Sequence, residues 1–144
     1  MTDLIHRRDI RIEWGDCDPA QIVFYPRYFA MFDGGTQELF RAALGMPKIE
    51  WVKVYSIVGI PLVDAKARFI IPSWYGDDIV LESRVTEWRR SSFSLEHRVL
   101  KAGQLALEGA ETRVWAGADP AKPGGIKGYP IPDAVKAKFK AAKA

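Results

Sequence analysis

The residues best equipped for chemistry stand together: Asp16, Cys17 and Asp18, in the run Trp14-Gly15-Asp16-Cys17-Asp18-Pro19-Ala20-Gln21. Each admits a role. A cysteine nucleophile needs a base to take its proton. None is near Cys17 in sequence, the two histidines being His6 and His97. A hard cation wants more oxygen ligands than two aspartates supply. An aspartate can attack a carbonyl or accept a proton from water. Asp-Pro is also a common turn starter, whose carboxylate does no more than cap nearby N–H groups. Taken locally, the turn and the catalytic acid both stay open.

The flanking segments decide what these acids could meet. Before them, residues 6–14 alternate and read as a strand. After them, a helix is expected from Pro26 to Leu44, since proline suits the first helical turn. Phe29, Phe32, Leu39, Phe40, Ala43 and Leu44 give it an apolar face, and Gly45 stops it. The acids therefore lie in a crossover ending where a helix has unpaired N–H groups and a positive dipole. An acid beside such donors suits attack on a carbonyl and stabilisation of the resulting oxyanion. Gly34-Gly35 falls mid-helix, at a cost of about 1 kcal/mol per glycine relative to alanine. Either another group approaches closely there, or the pair is a weak spot in a buried helix.

Downstream, a short helix is expected around Ile49–Tyr55 and strands ending at Ile71, spanning Ile79 to Trp88, starting at Phe93, and spanning Leu105 to Trp115. Residues 118–132 read as a loop. A C-terminal helix, 133–143, lacks a strong apolar face and is expected at the periphery. No second helix alternates with the strands, which disfavours parallel βαβ winding. The expected class is α+β: an antiparallel sheet of about five strands around one long helix, in a single domain over residues 1–144. The other sheet face and the sheet edges are left for a partner subunit.

Composition narrows the partners. A net charge of +3 is too balanced to point to nucleic acid, and Lys136, Lys138, Lys140 and Lys143 read as a solvated helix face. No run approaches the roughly 20 apolar residues of a membrane span, and the N-terminus lacks a signal-peptide core. One cysteine excludes an intrachain disulfide, which fits a reducing cytoplasm. No Gly-rich phosphate loop, Gly-x-Ser-x-Gly elbow or Cys/His cluster is present. The adjacent Arg89-Arg90 is the local basic feature.

The run Ile12-Glu13-Trp14-Gly15-Asp16-Cys17-Asp18-Pro19-Ala20, with Ile22-Val23-Phe24-Tyr25-Pro26 and Tyr28, resembles the 4-hydroxybenzoyl-CoA thioesterases of the hotdog fold, Pseudomonas-type branch. The resemblance extends through Ile57-Val58-Gly59-Ile60-Pro61, Ser73-Trp74-Tyr75-Gly76-Asp77-Asp78 and Glu87-Trp88-Arg89-Arg90-Ser91-Ser92-Phe93. It implies an acyl-CoA thioesterase needing no metal or organic cofactor. It also implies a homotetramer, a dimer of dimers with active sites at the dimer interface. By it Asp18 is the nucleophile or general base, and the Tyr25 N–H polarises the thioester carbonyl. Arg89 and Arg90 bind CoA phosphates, and Asp33 lies near the aromatic end. Two positions depart from the 4-hydroxybenzoyl enzyme: Ile60 replaces a threonine and Ser91 a lysine. If position 60 lies near the acyl ring, Ile60 makes the pocket more apolar and favours benzoyl, phenylacetyl or another acyl group over a para-hydroxyl ring. The alternatives are a short- or medium-chain acyl-CoA thioesterase, disfavoured because no histidine follows the acid, and a non-catalytic acyl-CoA-binding hotdog protein.

Overall fold

The computed structural model describes residues 3–141. Strands β1 (His6–Arg11), β2 (Leu62–Phe69), β3 (Asp78–Trp88), β4 (Ser92–Lys101) and β5 (Gln104–Val114) form one sheet in the order β1-β3-β4-β5-β2. Each neighbouring pair is antiparallel. Helices are α1 (Pro26–Leu44), α2 (Lys48–Val54) and α3 (Asp133–Ala141). A two-stranded ribbon pairs β6 (Ala116–Ala118) with β7 (Ile126–Gly128) inside the segment expected to be a loop.

Helix α1 lies against the concave sheet face because its buried residues recur at helical spacing: Tyr28, Phe32, Gly35, Thr36, Leu39, Phe40, Ala43 and Leu44. Opposite them the strands turn in every second residue: Leu81, Ser83 and Val85 on β3, and Phe93, Leu95, His97 and Val99 on β4. Gly45, at φ 74°, ends the helix and donates its N–H to the Arg41 carbonyl at 2.9 Å. The glycine pair has a packing reason. A Cβ at Gly35 would lie 2.5 Å from Ser83 Oγ and 2.9 Å from a Leu81 methyl. Side chains of the sheet, rather than another backbone, claim that space.

Three expectations need correction. The first strand stops at Arg11 rather than residue 14, because Trp14–Asp16 coils into a 3₁₀ turn. The β6–β7 ribbon interrupts the expected loop. Helix α3 is not peripheral: Val135 and Phe139 are buried, and the Phe139 ring lies edge-on to Phe40 at 4.8 Å and Trp88 at 5.0 Å. Two apolar residues four apart suffice to dock a nine-residue helix while its lysines face outward. The sheet face away from α1 carries ion pairs, among them Arg7–Glu82 (2.7 Å), Arg84–Glu96 (3.0 Å) and Arg68–Glu108.

Candidate active site

The segment joining β1 to α1 is a small hairpin, and its bonds distinguish the three chemical candidates. The Cys17 and Val23 backbones form an antiparallel bridge. Phe24 N–H donates to the Asp16 carbonyl at 2.8 Å, and Asp18 N–H to that of Ile22 at 3.0 Å. Gln21, at φ 71°, completes the reversal. Asp16 is occupied locally, its carboxylate accepting the Glu13 N–H at 2.9 Å. The Cys17 thiol leans on the Glu13 carbonyl (3.6 Å), and burial with the flanking Asp16 and Asp18 charges pushes its pKa up, away from thiolate. Asp18 is half-buried; its Oδ1 accepts the Ala20 N–H at 2.8 Å. Its Oδ2 has no partner among the described residues. One oxygen is anchored and the other stays available.

The same hairpin leads into α1. Phe24, Arg27 and Tyr28 N–H groups are all taken, by Asp16, Phe24 and Tyr25 carbonyls at 2.8, 2.8 and 3.1 Å. Pro26 has no N–H. The Tyr25 N–H is left without an acceptor among the described residues, at the positive end of a 19-residue helix. Asp18 and the Asp16–Phe24 rung are two residues apart on the hairpin, roughly 7 Å at strand rise.

The segment just before β3 secures this hairpin. Val23 N–H donates to Ser73, Tyr75 N–H to Gln21, and Ile22 bridges Trp74. The Ser73–Asp77 segment is itself pinned: the Asp77 carboxylate accepts Trp74 N–H at 2.8 Å and pairs with Lys101 at 2.7 Å. Exposed aromatics flank the hairpin in sequence and on the segment bonded to it. Trp14 meets Tyr75 edge-on at 5.3 Å, Phe24 meets Tyr25 at 5.6 Å, and Trp74 and Phe69 are also exposed.

The other expected site residues fall into two groups. Arg89, Arg90 and Ser91 occupy the β3–β4 turn. Arg89 folds back onto Ser92 Oγ (2.8 Å), Ser94 Oγ (2.9 Å) and Glu87 (2.8 Å). Arg90 is exposed, its carbonyl accepting Ile131 N–H, and the Ser91 carbonyl accepts Trp115 N–H. This turn lies at the far end of the 11-residue β3 from the Asp18 hairpin, roughly 30 Å away at strand rise. A single chain therefore does not bring the arginines to Asp18.

Asp33 and Ile60 are joined through a third residue. Arg113, 3% exposed, donates to Asp33 Oδ1 at 2.7 Å and to the Ile60 carbonyl at 3.0 Å. Its Nε also donates to Glu111 Oε1 at 2.9 Å. The Ile60 side chain does not open onto a pocket of the single chain. It is 1% exposed, in the core cluster that holds Trp51, Trp115 and Phe40.

Beyond Arg113 the polar chain continues inward. Glu111 accepts Thr36 Oγ1 at 2.7 Å and faces His97 Nε2 at 3.3 Å; His97 Nδ1 pairs with Ser83 Oγ at 2.8 Å. Phe32 stacks on the imidazole, centroids 4.8 Å apart. Burial works against ionisation of Glu111, but hydrogen bonds from His97, Arg113 and Thr36 outweigh it and hold its pKa at about 2. The sequence signal for this network was a charge in the inward phase of β5, where Leu107 and Gly109 precede Glu111.

Comparison with known proteins fits this geometry. The family model of the thioesterase-like superfamily matches residues 12–139. The chain is 37% identical over 111 residues to the 4-hydroxybenzoyl-CoA thioesterase of Pseudomonas sp. strain CBS-3, covering 74% of this chain and 79% of that one. A crystal structure of a 4-hydroxybenzoyl-CoA thioesterase with an aspartate-to-asparagine substitution, complexed with 4-hydroxybenzoyl-CoA, superposes with TM-score 0.83 at 32% identity, covering 94% of this chain and 99% of that one. A gentisyl-coenzyme A thioesterase superposes with TM-score 0.78 at 30% identity, covering 93% and 99%. The helix-wrapping sheet is thus the hotdog fold of these enzymes, and the chain belongs to the thioesterase-like superfamily.

Proposed function

We propose that this protein hydrolyses an aromatic acyl-CoA, 4-hydroxybenzoyl-CoA or a related benzoyl-type ester, to the free acid and CoA. The observation that supports the reading is a half-free Asp18 carboxylate on a hairpin that runs directly into the unpaired Tyr25 N–H at the start of α1. The thioester carbonyl oxygen accepts the Tyr25 N–H, which polarises the carbon and stabilises the oxyanion. Asp18 Oδ2 attacks that carbon. The C–S bond breaks, CoA leaves as the thiolate and takes up a proton, and an acyl–aspartyl anhydride remains. Water hydrolyses the anhydride and restores the carboxylate. In the competing route Asp18 takes the proton from water, which attacks directly. The capture of 4-hydroxybenzoyl-CoA by an asparagine variant of a relative is in keeping with an acid as the group that consumes substrate.

The exposed aromatics Trp14, Phe24, Trp74 and Phe69 suit an aromatic acyl group. The burial of Ile60 removes the reason to disfavour a hydroxylated ring: its side chain is committed to the core, so its apolarity says nothing of the acyl pocket. Arg89 and Arg90 bind the nucleotide phosphates through guanidinium forks. Their separation from Asp18 within one chain is the reason for reading the site as shared between copies. The exposed edge strand β2, with Leu62 and Val63 uncovered, offers the apolar contact. We assign a homotetramer, a dimer of dimers, acting in the cytoplasm. No helix of the described residues is long and apolar enough to cross a membrane.

A hydrolysis panel of 4-hydroxybenzoyl-, benzoyl-, phenylacetyl- and straight-chain acyl-CoA tests the substrate. Aromatic esters are expected to have the higher kcat/KM; a wide preference for straight-chain esters overturns the assignment. Light scattering across protein concentration tests the assembly, and a monomer that hydrolyses aryl-CoA refutes the shared site.

A further inference from the structure

Lys101 takes no part in the hydrolysis scheme, and the structure gives its ammonium two partners on another segment. It is the last residue of β4, opposite Gln104 across a turn in which Ala102 and Gly103 have φ 51° and 79°. Two positive φ values in succession make the tight turn that fits the twist of paired strands, so this strand end has one register. From there Lys101 Nζ donates to the Pro72 carbonyl at 3.0 Å and pairs with Asp77 Oδ2 at 2.7 Å. The same Asp77 oxygen accepts the Trp74 N–H at 2.8 Å, and the Asp77 N–H donates to the Trp74 carbonyl at 3.0 Å. Gly76, at φ 89°, makes that bend possible. Lys101 first, and the Trp74 N–H after it, hold the Asp77 carboxyl below the usual carboxylate range. With side chains 25% and 29% exposed, this pair is more sheltered than Arg11–Asp78, at 62% and 71%. A solvated surface pair contributes little; a sheltered one joining two segments can fix their relative position.

The segment so braced meets the Asp18 hairpin along its return arm. Val23 N–H donates to the Ser73 carbonyl and Tyr75 N–H to the Gln21 carbonyl, each at 3.0 Å, and Ile22 bridges Trp74. That arm in turn holds the acid: Asp18 N–H donates to the Ile22 carbonyl at 3.0 Å, and Gln21 N–H to the Asp18 carbonyl at 2.8 Å. We propose that Lys101 and Asp77 are positioning residues for the hydrolysis: they brace residues 72–77, and through them the backbone of residues 21–23, so that the Asp18 carboxylate is held where it meets the thioester carbon. The inference rests on the reading of Asp18 as the reacting acid. A carboxylate near the tip of an unbraced hairpin spends less time in line for attack, and a displacement of about 1 Å costs up to about 10²-fold in rate. The CoA nucleotide is assigned to the distant Arg89-Arg90 turn, so the loss falls on kcat and not on KM.

The experiment replaces Lys101 by methionine, which keeps an apolar stem and removes the ammonium, and reads steady-state hydrolysis of 4-hydroxybenzoyl-CoA beside amide hydrogen exchange. In Lys101→Met, kcat is expected to fall about tenfold, with KM within about threefold of the parent's. Exchange at the Val23 and Tyr75 amides should quicken, while that of the central β4–β5 ladder does not. Asp77→Asn keeps an acceptor for the Trp74 N–H and loses the charge; it should give the same split, and the two changes together no more than either alone. It carries the test should Lys101→Met not fold. Lys101→Arg, which restores the cation, should recover most of the rate. The sharpest arm adds Lys101→Met to Asp18→Asn: a brace that acts through Asp18 leaves the residual rate of that variant unchanged. A further tenfold loss there, a loss confined to KM, or unaltered exchange at Val23 and Tyr75 overturns the proposal. Hydrolysis at the parent rate by Asp18→Asn alone refutes the reading of Asp18, whereas a parent kcat in Lys101→Met refutes only the brace.

Discussion

Asp18 and Asp33 are both carboxylates at the surface of the α1 layer, and they are held in opposite ways. Asp18 is fixed by its own turn: one oxygen takes the Ala20 N–H, no cation approaches within ion-pair distance among the described residues, and the other oxygen is open. Asp33 is fixed by a buried cation reaching out from a network that spans three strands. An acid without a counter-cation keeps its nucleophilicity and basicity; an acid clamped by a guanidinium is a fixed charge, suited to accepting a hydrogen bond and poor at attack. On the proposed reading Asp18 is the reacting group, whereas Asp33 is held as a fixed charge by the guanidinium behind it.

Substitutions at the two acids should differ in kind. Asp18→Ala is expected to lower kcat by about 10³-fold or more, with thermal unfolding nearly unchanged, since only the local bond to Ala20 is lost. Asp33→Asn, which weakens only the pairing with Arg113, should leave kcat within about tenfold of the parent. Steady-state kinetics beside calorimetry separates these outcomes, and equal effects at the two positions would erase the contrast. Next in size, Arg89→Ala/Arg90→Ala should raise KM for CoA esters by roughly 10- to 100-fold, about 1.4 kcal/mol per tenfold, with kcat less affected. A KM equal to that of the parent would remove the turn from the site.

The network behind Asp33 should reveal itself in acid. Glu111 has its folded pKa depressed from 4.5 to about 2. Its ionised form stabilises the fold fully above the unfolded value, and that contribution drains away as pH falls from about 4.5 toward 2. The loss is on the order of 3 kcal/mol. Urea unfolding of the parent should weaken through that window, whereas Glu111→Gln should be less stable at neutral pH and show a flatter dependence there. A parent stability that does not change between pH 5 and 2 contradicts the clamp. The smallest effect is expected at position 60. Ile60→Thr places a hydroxyl in the Trp51–Trp115 core and should cost roughly 1–2 kcal/mol without changing aryl preference. A switch in preference would return the determinant to that side chain.

The two acids also mark what could be read before the fold was known. The Asp18 hairpin and the start of α1 are local: Asp-Pro, Pro26 and the following periodicity lie within one stretch, so an acid in a turn just before the helix was legible, though of the N–H groups from Phe24 to Tyr28 only that of Tyr25 is free among the described residues. The class, the long helix and the strand phases were legible for the same reason. The Asp33 clamp was not, because Asp33 and Arg113 are 80 residues apart and meet only when β5 crosses beneath α1. Whether Ile60 faces a pocket or the core was not legible, because apolarity alone does not distinguish the two. Helix α3 was taken as peripheral because two buried residues in nine make a weak pattern. Residues 142 and 143, which fell in the expected C-terminal helix, lie outside the described residues.

The central claim is that Asp18 performs the chemistry while leaving recognition to other groups. Asp18→Asn keeps the shape and removes the charge, so hydrolysis and binding of 4-hydroxybenzoyl-CoA by this one variant test it most directly. The account predicts a dissociation constant close to the parent's KM and hydrolysis slower by about 10³-fold or more. Hydrolysis near the parent rate by the asparagine variant would contradict it.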